Sequence, residues 1–311
     1  MTLLAIFALF LAFGLEQVRP FPYYRLVEGP LAHYSRWMEG RLNAGTREQG
    51  KLAWLVAVLP PAALALAVHY LLAWVNPLFA LAFDTAVLYV TTGFRSVSHN
   101  FTNIQLALQE GDLARARSLV AAWRGRGAER LSSGEIARLA IEEAVLAAYR
   151  NVFALVFWFL VLPGPAGVVI YRIAAHLGQR WGDARRDEYG EFGSFARTAL
   201  DWLDWLPVRC TAAAFAIVGD FEDSVYCWQS QAKHWLPRAS GILLASAGGA
   251  LGVRLGLPVW ESGEISDRPE LGVGDDADLD CLDRTKAFIW RTLIFWMLLV
   301  VLVGIAGWVG R

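Results

Sequence analysis

Between Leu52 and Gly93 the chain is predominantly apolar, and the run is broken only by Pro60-Pro61 and Asn76-Pro77. A helix that crosses a bilayer needs about 20 residues, so the stretch predicts two antiparallel spanning helices with a turn at Asn76-Pro77. Their shared tip carries no Lys or Arg. The flanks carry Arg25, Arg36, Arg41, Arg47 and Lys51 on one side and Arg95 on the other. Cytoplasmic loops collect basic residues, so both helix bases are expected inside and the tip outside. Composition agrees: 56% of residues are hydrophobic and 18% charged, against about 25% charged in soluble domains, and the mean hydropathy is +0.39. The class predicted is an all-α, polytopic integral membrane protein with about five to seven membrane helices, in a bacterial-type inner membrane.

A net charge of −1 gives no basic face for nucleic acid, which is excluded as a partner; the lipid bilayer is the expected one. Cys210, Cys227 and Cys281 are odd in number and form no C-x-x-C pair, so they read as reduced thiols rather than a disulfide frame or zinc site. His33, His69, His99, His176 and His234 are scattered with no i, i+4 pair, and no metal site is expected. Met1 to Leu15 is apolar but lacks a basic start and a small-residue cleavage site. It reads as a short, retained first membrane segment. The P-loop, G-x-S-x-G and H-E-x-x-H patterns are absent from the sequence.

From about residue 94 to 150 the chain turns polar. Asp112 can cap a helix beginning LARARSLVAAWRGR, and Ser132 with Glu135 forms a capping-box pattern opening IARLAIEEAVLAAYRN. Six arginines lie between Arg115 and Arg138. The segment is read as a soluble, cytoplasmic helical hairpin near anionic lipid, with an anion or phosphate site as the functional alternative. A second apolar hairpin follows around Pro163-Gly-Pro-Ala-Gly167, and residues 180–195 form a charged return loop.

Ala196 to Phe221 then brings Asp201 and Asp204 onto one helical face, with Trp202, Trp205, Pro207 and Arg209 close by. Tryptophans beside charge at the mouth of an apolar run suit a membrane interface. Asp201 is expected to be the partly buried carboxylate, paired with Arg126, Arg150 or, through a bend at Pro207, Arg209. Gly248, Gly252 and Gly256 recur every four residues, which on a helix makes one flat face for close packing and a route to a homo-oligomer. Residues 259–286 read as an acidic loop whose register lacks the closing Glu of a calcium site. Phe288 to Val309 is long enough to span.

Several of these motifs resemble the CobD/CbiB family of membrane-bound adenosylcobinamide-phosphate synthases and its relative AmpE, a membrane protein linked to β-lactamase regulation. They are FRSVSHN with ALQEGDLARAR (Phe94 to Arg117), VFWFLVLPGPAGVVIYR (Val156 to Arg172), DWLPVR (Asp204 to Arg209) and GGALGVRLGLPVWESGEISDRPELG (Gly248 to Gly272). They occur in the family's order. The resemblance implies ATP-dependent amide formation between a corrinoid carboxylate and an amino alcohol or its phosphate. Such a site needs magnesium-binding carboxylates and basic clamps.

The polar positions depart from the family pattern. G-R-D-T becomes Gly125-Arg126-Gly127-Ala128, E-S-x-A-E-N keeps only Glu142, and the Asn and Asp of Y-R-x-x-N-T-x-D fall on Ala175 and Gly178. The reading that follows is a single CobD/CbiB–AmpE-like membrane domain over residues 1–311. Its expected role is AmpE-like, sensory, regulatory or ligand-binding, with no cofactor, and its catalytic residues are unassigned. The alternative is the synthase itself, with ATP and Mg2+. Glu142, Asp201, Asp204 and Arg209 are the candidate polar site, Arg126 and Arg172 the candidate anion-binding residues, and a corrinoid or phosphorylated small molecule the candidate ligand.

Overall fold

The computed structural model describes residues 3–19, 24–182, 191–261 and 263–309. In chain order the helices are α1 (Leu3–Val18), α2 (Gly29–Leu42), α3 (Arg47–Val75), α4 (Pro77–Thr91), α5 (Phe94–Gln109), α6 (Leu113–Arg124), α7 (Ser133–Ala148), α8 (Ala154–Val161), α9 (Ala166–Arg180), α10 (Ser194–Val218), α11 (Phe221–Ser230), α12 (Arg238–Leu251) and α13 (Leu279–Val309). Five short strands fall between α12 and α13: β1 (Val253–Gly256), β2 (Val259–Glu261), β3 (Glu264–Ser266), β4 (Glu270–Leu271) and β5 (Asp275–Asp276).

Among the described residues four helical stretches are long and apolar enough to cross a membrane: Arg47–Val75, Pro77–Gln109, Ser133–Val161 and Leu279–Gly307. With the shorter apolar Leu3–Val18 they reach the lower end of the expected number. The chain is an all-α, multi-pass membrane protein.

Two units divide the chain, one made of Met1–Gly93, Arg150–Pro207 and Val300–Arg311, the other of Phe94–Tyr149 and Val208–Leu299. In the first, α3 runs unbroken through Pro60 and Pro61. It stops at Asn76, whose side chain accepts the Leu78 N–H at 2.9 Å and starts α4, with Pro77 at its first position. The expected turn is therefore present, and its chemistry is an Asx cap followed by proline. α1 packs on α4, and α3 packs on α4 and α9. A core of Met38, Ala53, Ala57, Val58, Leu177, Trp181 and Phe192 holds the base of α3. Within α3 and α4, His69 Nδ1 lies 2.8 Å from a carboxylate oxygen of Asp84. Of the expected return loop, residues 183–190 lie outside the described residues.

In the second unit the capping box at Ser132 and Glu135 forms as the sequence predicts. α6 ends on Gly125, whose φ of 65° closes the helix in the left-handed region. α7 differs from its expected role as a soluble hairpin arm. It passes through a π-helical turn (Tyr149–Phe153) into α8 as one apolar run over Ser133–Val161. Ile136, Leu139, Ile141, Val145 and Ala148 are all buried, and so is most of the rest of α7, Arg138 included; the other five arginines of the 115–138 stretch precede it.

Two further expectations fail. The acidic segment 259–286 is not a loop throughout: β2 and β3 pair as an antiparallel hairpin, and β1 lies between β4 (antiparallel) and β5 (parallel). Its last residues already belong to α13. The glycine row does not make one helical face, because α12 stops at Leu251 and Gly252 caps it at φ 66°. Gly248 and Gly256 instead face the chain's own 269–272 segment, where an added Cβ would lie 2.8 Å from Gly272 Cα and 2.1 Å from the Pro269 carbonyl oxygen. The expected self-association face is used internally. α10 continues through Pro207 without ending there.

Candidate functional site

The polar chemistry of the second unit is concentrated where the α6–α7 connection and α7 meet the strand segment. Glu142 projects from the middle of α7 and is buried. Its Oε1 accepts the Gly256 N–H at 2.9 Å and Arg268 Nη2 at 3.1 Å, while Oε2 accepts Arg268 Nη1 at 2.8 Å. Arg268 also donates to the carbonyls of Gly256 (2.7 Å) and Leu257 (3.1 Å) and lies over the Trp235 ring at 5.5 Å. One guanidinium thus ties a helix to the turn Gly256–Leu257, where both residues have positive φ (73° and 62°). A bidentate charge-assisted pair fixes geometry as well as charge, so Glu142 is engaged as the anchor of this turn.

One turn earlier on α7, Arg138 is buried and donates to the Pro258 carbonyl at 3.3 Å. Arg130 stacks over the Trp260 ring at 4.8 Å. Arg124 and Arg126, on either side of Gly125, both bond Glu261, at 2.5 Å and 3.1 Å. Burial pushes the Glu261 carboxyl up, but the Arg124 and Arg126 guanidiniums outweigh it and hold the group below the ordinary carboxylate range. Four arginines therefore face the single short run 258–261.

The other predicted residues fall differently. Arg172 on α9 is buried and donates to the Asn151 side chain at 2.8 Å and to the Thr91 carbonyl. Asp204 is buried and accepts the Tyr171 hydroxyl at 3.0 Å. Asp201, the carboxylate expected to be partly buried, is exposed. Position within the helix decides this, since Asp204 shares its side of α10 with buried Pro207 and Val208, while Asp201 lies beside Trp202 at 79% exposure. Arg209 is half-buried, one residue past Val208. Glu142, Arg126 and Arg209 belong to the second unit, and Arg172, Asp201 and Asp204 to the first. Sequence reasoning missed Arg268 and Glu261. Both lie inside the Gly248–Gly272 motif, but without a partner in view they read as loop charges.

The family model described as CobD/Cbib protein matches residues 9–290. The chain belongs to the CobD/CbiB family. Among the relatives of this family member are the cobalamin biosynthesis protein CobD of Stutzerimonas stutzeri, 34% identical over 271 residues and 86% of each chain, and that of Chromobacterium violaceum, 35% identical over 246 residues and 78% of each chain. The cobalamin biosynthesis protein CbiB of Salmonella typhimurium is 25% identical over 267 residues and 83% of each chain. No solved structure matches. These relatives give no support to the AmpE-like reading of this CobD/CbiB chain and favour the synthase reading that stood beside it.

Proposed function

We propose that this protein acts in cobalamin biosynthesis as a CobD/CbiB-type synthase in the inner membrane. It would join an amino alcohol, or its phosphate, to a corrinoid carboxylate in an ATP-dependent amide-forming step. The observation that carries the reading is similarity at 34% and 35% identity, over most of both chains, to proteins named for cobalamin biosynthesis. Retention of Glu142, buried and engaged by Arg268 and Gly256, supports it, because the fold around the strand segment is built on that carboxylate.

In this reading Arg124, Arg126 and Arg138 supply positive charge for the phosphate-bearing substrates, and the Glu142–Arg268 pair positions the turn beside them. ATP and its Mg2+ arrive as substrate. The described residues hold no group of three or more His, Cys, Asp or Glu side chains able to bind a metal, so no step is assigned to a protein-bound ion. The replacement of family polar residues by Gly127, Ala128, Leu146, Ala147, Ala175 and Gly178 favours a second reading, a binding member without turnover. Complementation separates the two. Expression in a corrinoid auxotroph lacking its own synthase should restore growth on cobyric acid; absence of growth with the protein present in the membrane would leave the binding reading.

A further inference from the structure

Arg124 and Arg126 bracket a helix-ending glycine, and both give their charge to one carboxylate. The Arg124 side chain is 9% exposed and that of Glu261 6%. Yet Glu261 does not satisfy the guanidinium it binds. Its Oε1 takes Arg124 Nη2 and its Oε2 takes Arg126 Nη1, while Arg124 Nη1 is buried with no hydrogen-bond partner among the described residues. Nearby, Arg138 donates through Nη2 to the Pro258 carbonyl, three residues before Glu261, and its buried Nε has no partner among the described residues either. Buried guanidinium donors are normally paired, so two orphans on guanidiniums that both bond the run Pro258–Glu261 mark a cradle with more donors than the groups that fill it.

A carboxylate offers two acceptor oxygens and one charge. A phosphate monoester offers three terminal oxygens and a charge of about −1.5 to −2 at neutral pH, and the planar guanidinium fork matches it as well as it matches a carboxylate. We propose that Arg124 and Arg126, supported by Arg138, form a binding site for a phosphate monoester, and that Glu261 occupies this site as an internal competitor which the ligand displaces. The exchange breaks no covalent bond. The two Glu261 hydrogen bonds are replaced by phosphate oxygens, and the additional oxygen reaches the Arg124 Nη1 donor. Glu261 thereby sets the threshold concentration at which an anion enters. The proposal deepens the synthase reading, which rests on phosphate-bearing substrates, by naming the residues that hold the phosphate and the group that guards it.

The test is isothermal titration of the full chain in detergent with inorganic phosphate. Wild type should bind weakly and Glu261→Gln about tenfold tighter or more, the expected return from removing a charge-assisted competitor. Adding Arg124→Gln to Glu261→Gln should abolish the gain. Equal binding by wild type and Glu261→Gln, or none by either, would overturn the proposal. Should Glu261→Gln not fold, Glu261→Asp, whose shorter arm reaches the arginines less well, should tighten binding by a smaller factor; no change would equally overturn it. Repeating the titration in nanodiscs with and without phosphatidic acid identifies the source of the phosphate. Competition by the lipid supports the site with a lipid headgroup as occupant, and undiminished binding supports it with a soluble ester. Complementation without phosphate binding would remove the Glu261 competitor alone, and phosphate binding without complementation would remove the synthase reading alone.

Discussion

Replacing Arg268 by alanine tests whether the Glu142 anchor holds the strand segment in place. The two side chains are 10% and 7% exposed, so solvent does little to screen or replace the pair. Among the described residues Glu142 would keep one hydrogen bond, from the Gly256 N–H, and the carbonyls of Gly256 and Leu257 would lose the Arg268 donor. Removing one partner of a buried ion pair costs about 3–5 kcal/mol, because the other is left uncompensated. Glu142→Gln is milder. Its amide oxygen can still accept the Gly256 N–H, and the loss is the difference between charged and neutral hydrogen bonds, about 1–2 kcal/mol. The chain supplies its own reporter: Cys227 and Cys281 are buried free thiols, and burial, aided by Asp223, pushes the Cys227 thiol up to about 11. A thiol-reactive fluorophore should stay silent until the detergent-solubilised protein unfolds, once the half-buried Cys210 has been replaced by serine. Denaturant titration should then rank Arg268→Ala as less stable than Glu142→Gln, and both as less stable than wild type. The double variant Glu142→Leu/Arg268→Leu should recover part of the loss. A shift below about 1 kcal/mol for Arg268→Ala, the range of exposed pairs, would refute the anchoring role.

Three other outcomes follow from the same geometry. Because the folded-state pKa of Glu261 lies below its ordinary value of 4.5, its ion pairs stabilise the fold fully above that value and lose effect as pH falls through the folded pKa; unfolding measured from neutral to acid pH should show an acid limb that Glu261→Gln flattens. Asp204→Ala, which removes the carboxylate that accepts the buried Tyr171 hydroxyl, should cost about 1–3 kcal/mol, while Asp201→Ala at an exposed position should stay within about 0.5 kcal/mol; the fluorophore assay decides, and equal effects would contradict the burial difference. Gly252→Ala meets open space at φ 66° and should cost about 1–2 kcal/mol, whereas Gly256→Ala also drives a Cβ to within 2.1 Å of the Pro269 carbonyl oxygen and should abolish folded yield in a detergent extraction.

Legibility in the sequence followed the range of the interactions. The Asn76-Pro77 turn, the Asp112 cap and the Ser132–Glu135 box rest on contacts within three residues, and their signals are written in adjacent letters. The glycine row misled because a four-residue spacing looks the same on a helix as across a helix end. Only the Gly252 backbone, in the left-handed region, reveals that the helix has stopped. In the candidate site, Glu142 and Arg126 could be found by motif, but the residues that give them meaning, Arg268 and Glu261, are 126 and 135 positions away in sequence. Pairing over such distances leaves no periodic trace. Asp201 and Asp204 share one helical stripe, so spacing alone gave no basis for choosing which of them faces the interior.

The proline pair in α3 has a mechanical consequence. Twenty-nine residues of helix extend about 43 Å, longer than a hydrocarbon core of about 30 Å, so α3 must tilt, protrude or bend to fit. Pro60 and Pro61 remove the donors that the carbonyls of Val56 and Ala57 would meet in an unbroken ladder, and this weakens the rod near its midpoint. The two ends are held by different means: the base by Ala53, Ala57 and Val58 in a packed core, the far half by the His69–Asp84 contact. A helix clamped at both ends and softened between them is a compliant strut. In a thicker or thinner bilayer it can change its bend at the prolines while both clamps stay closed.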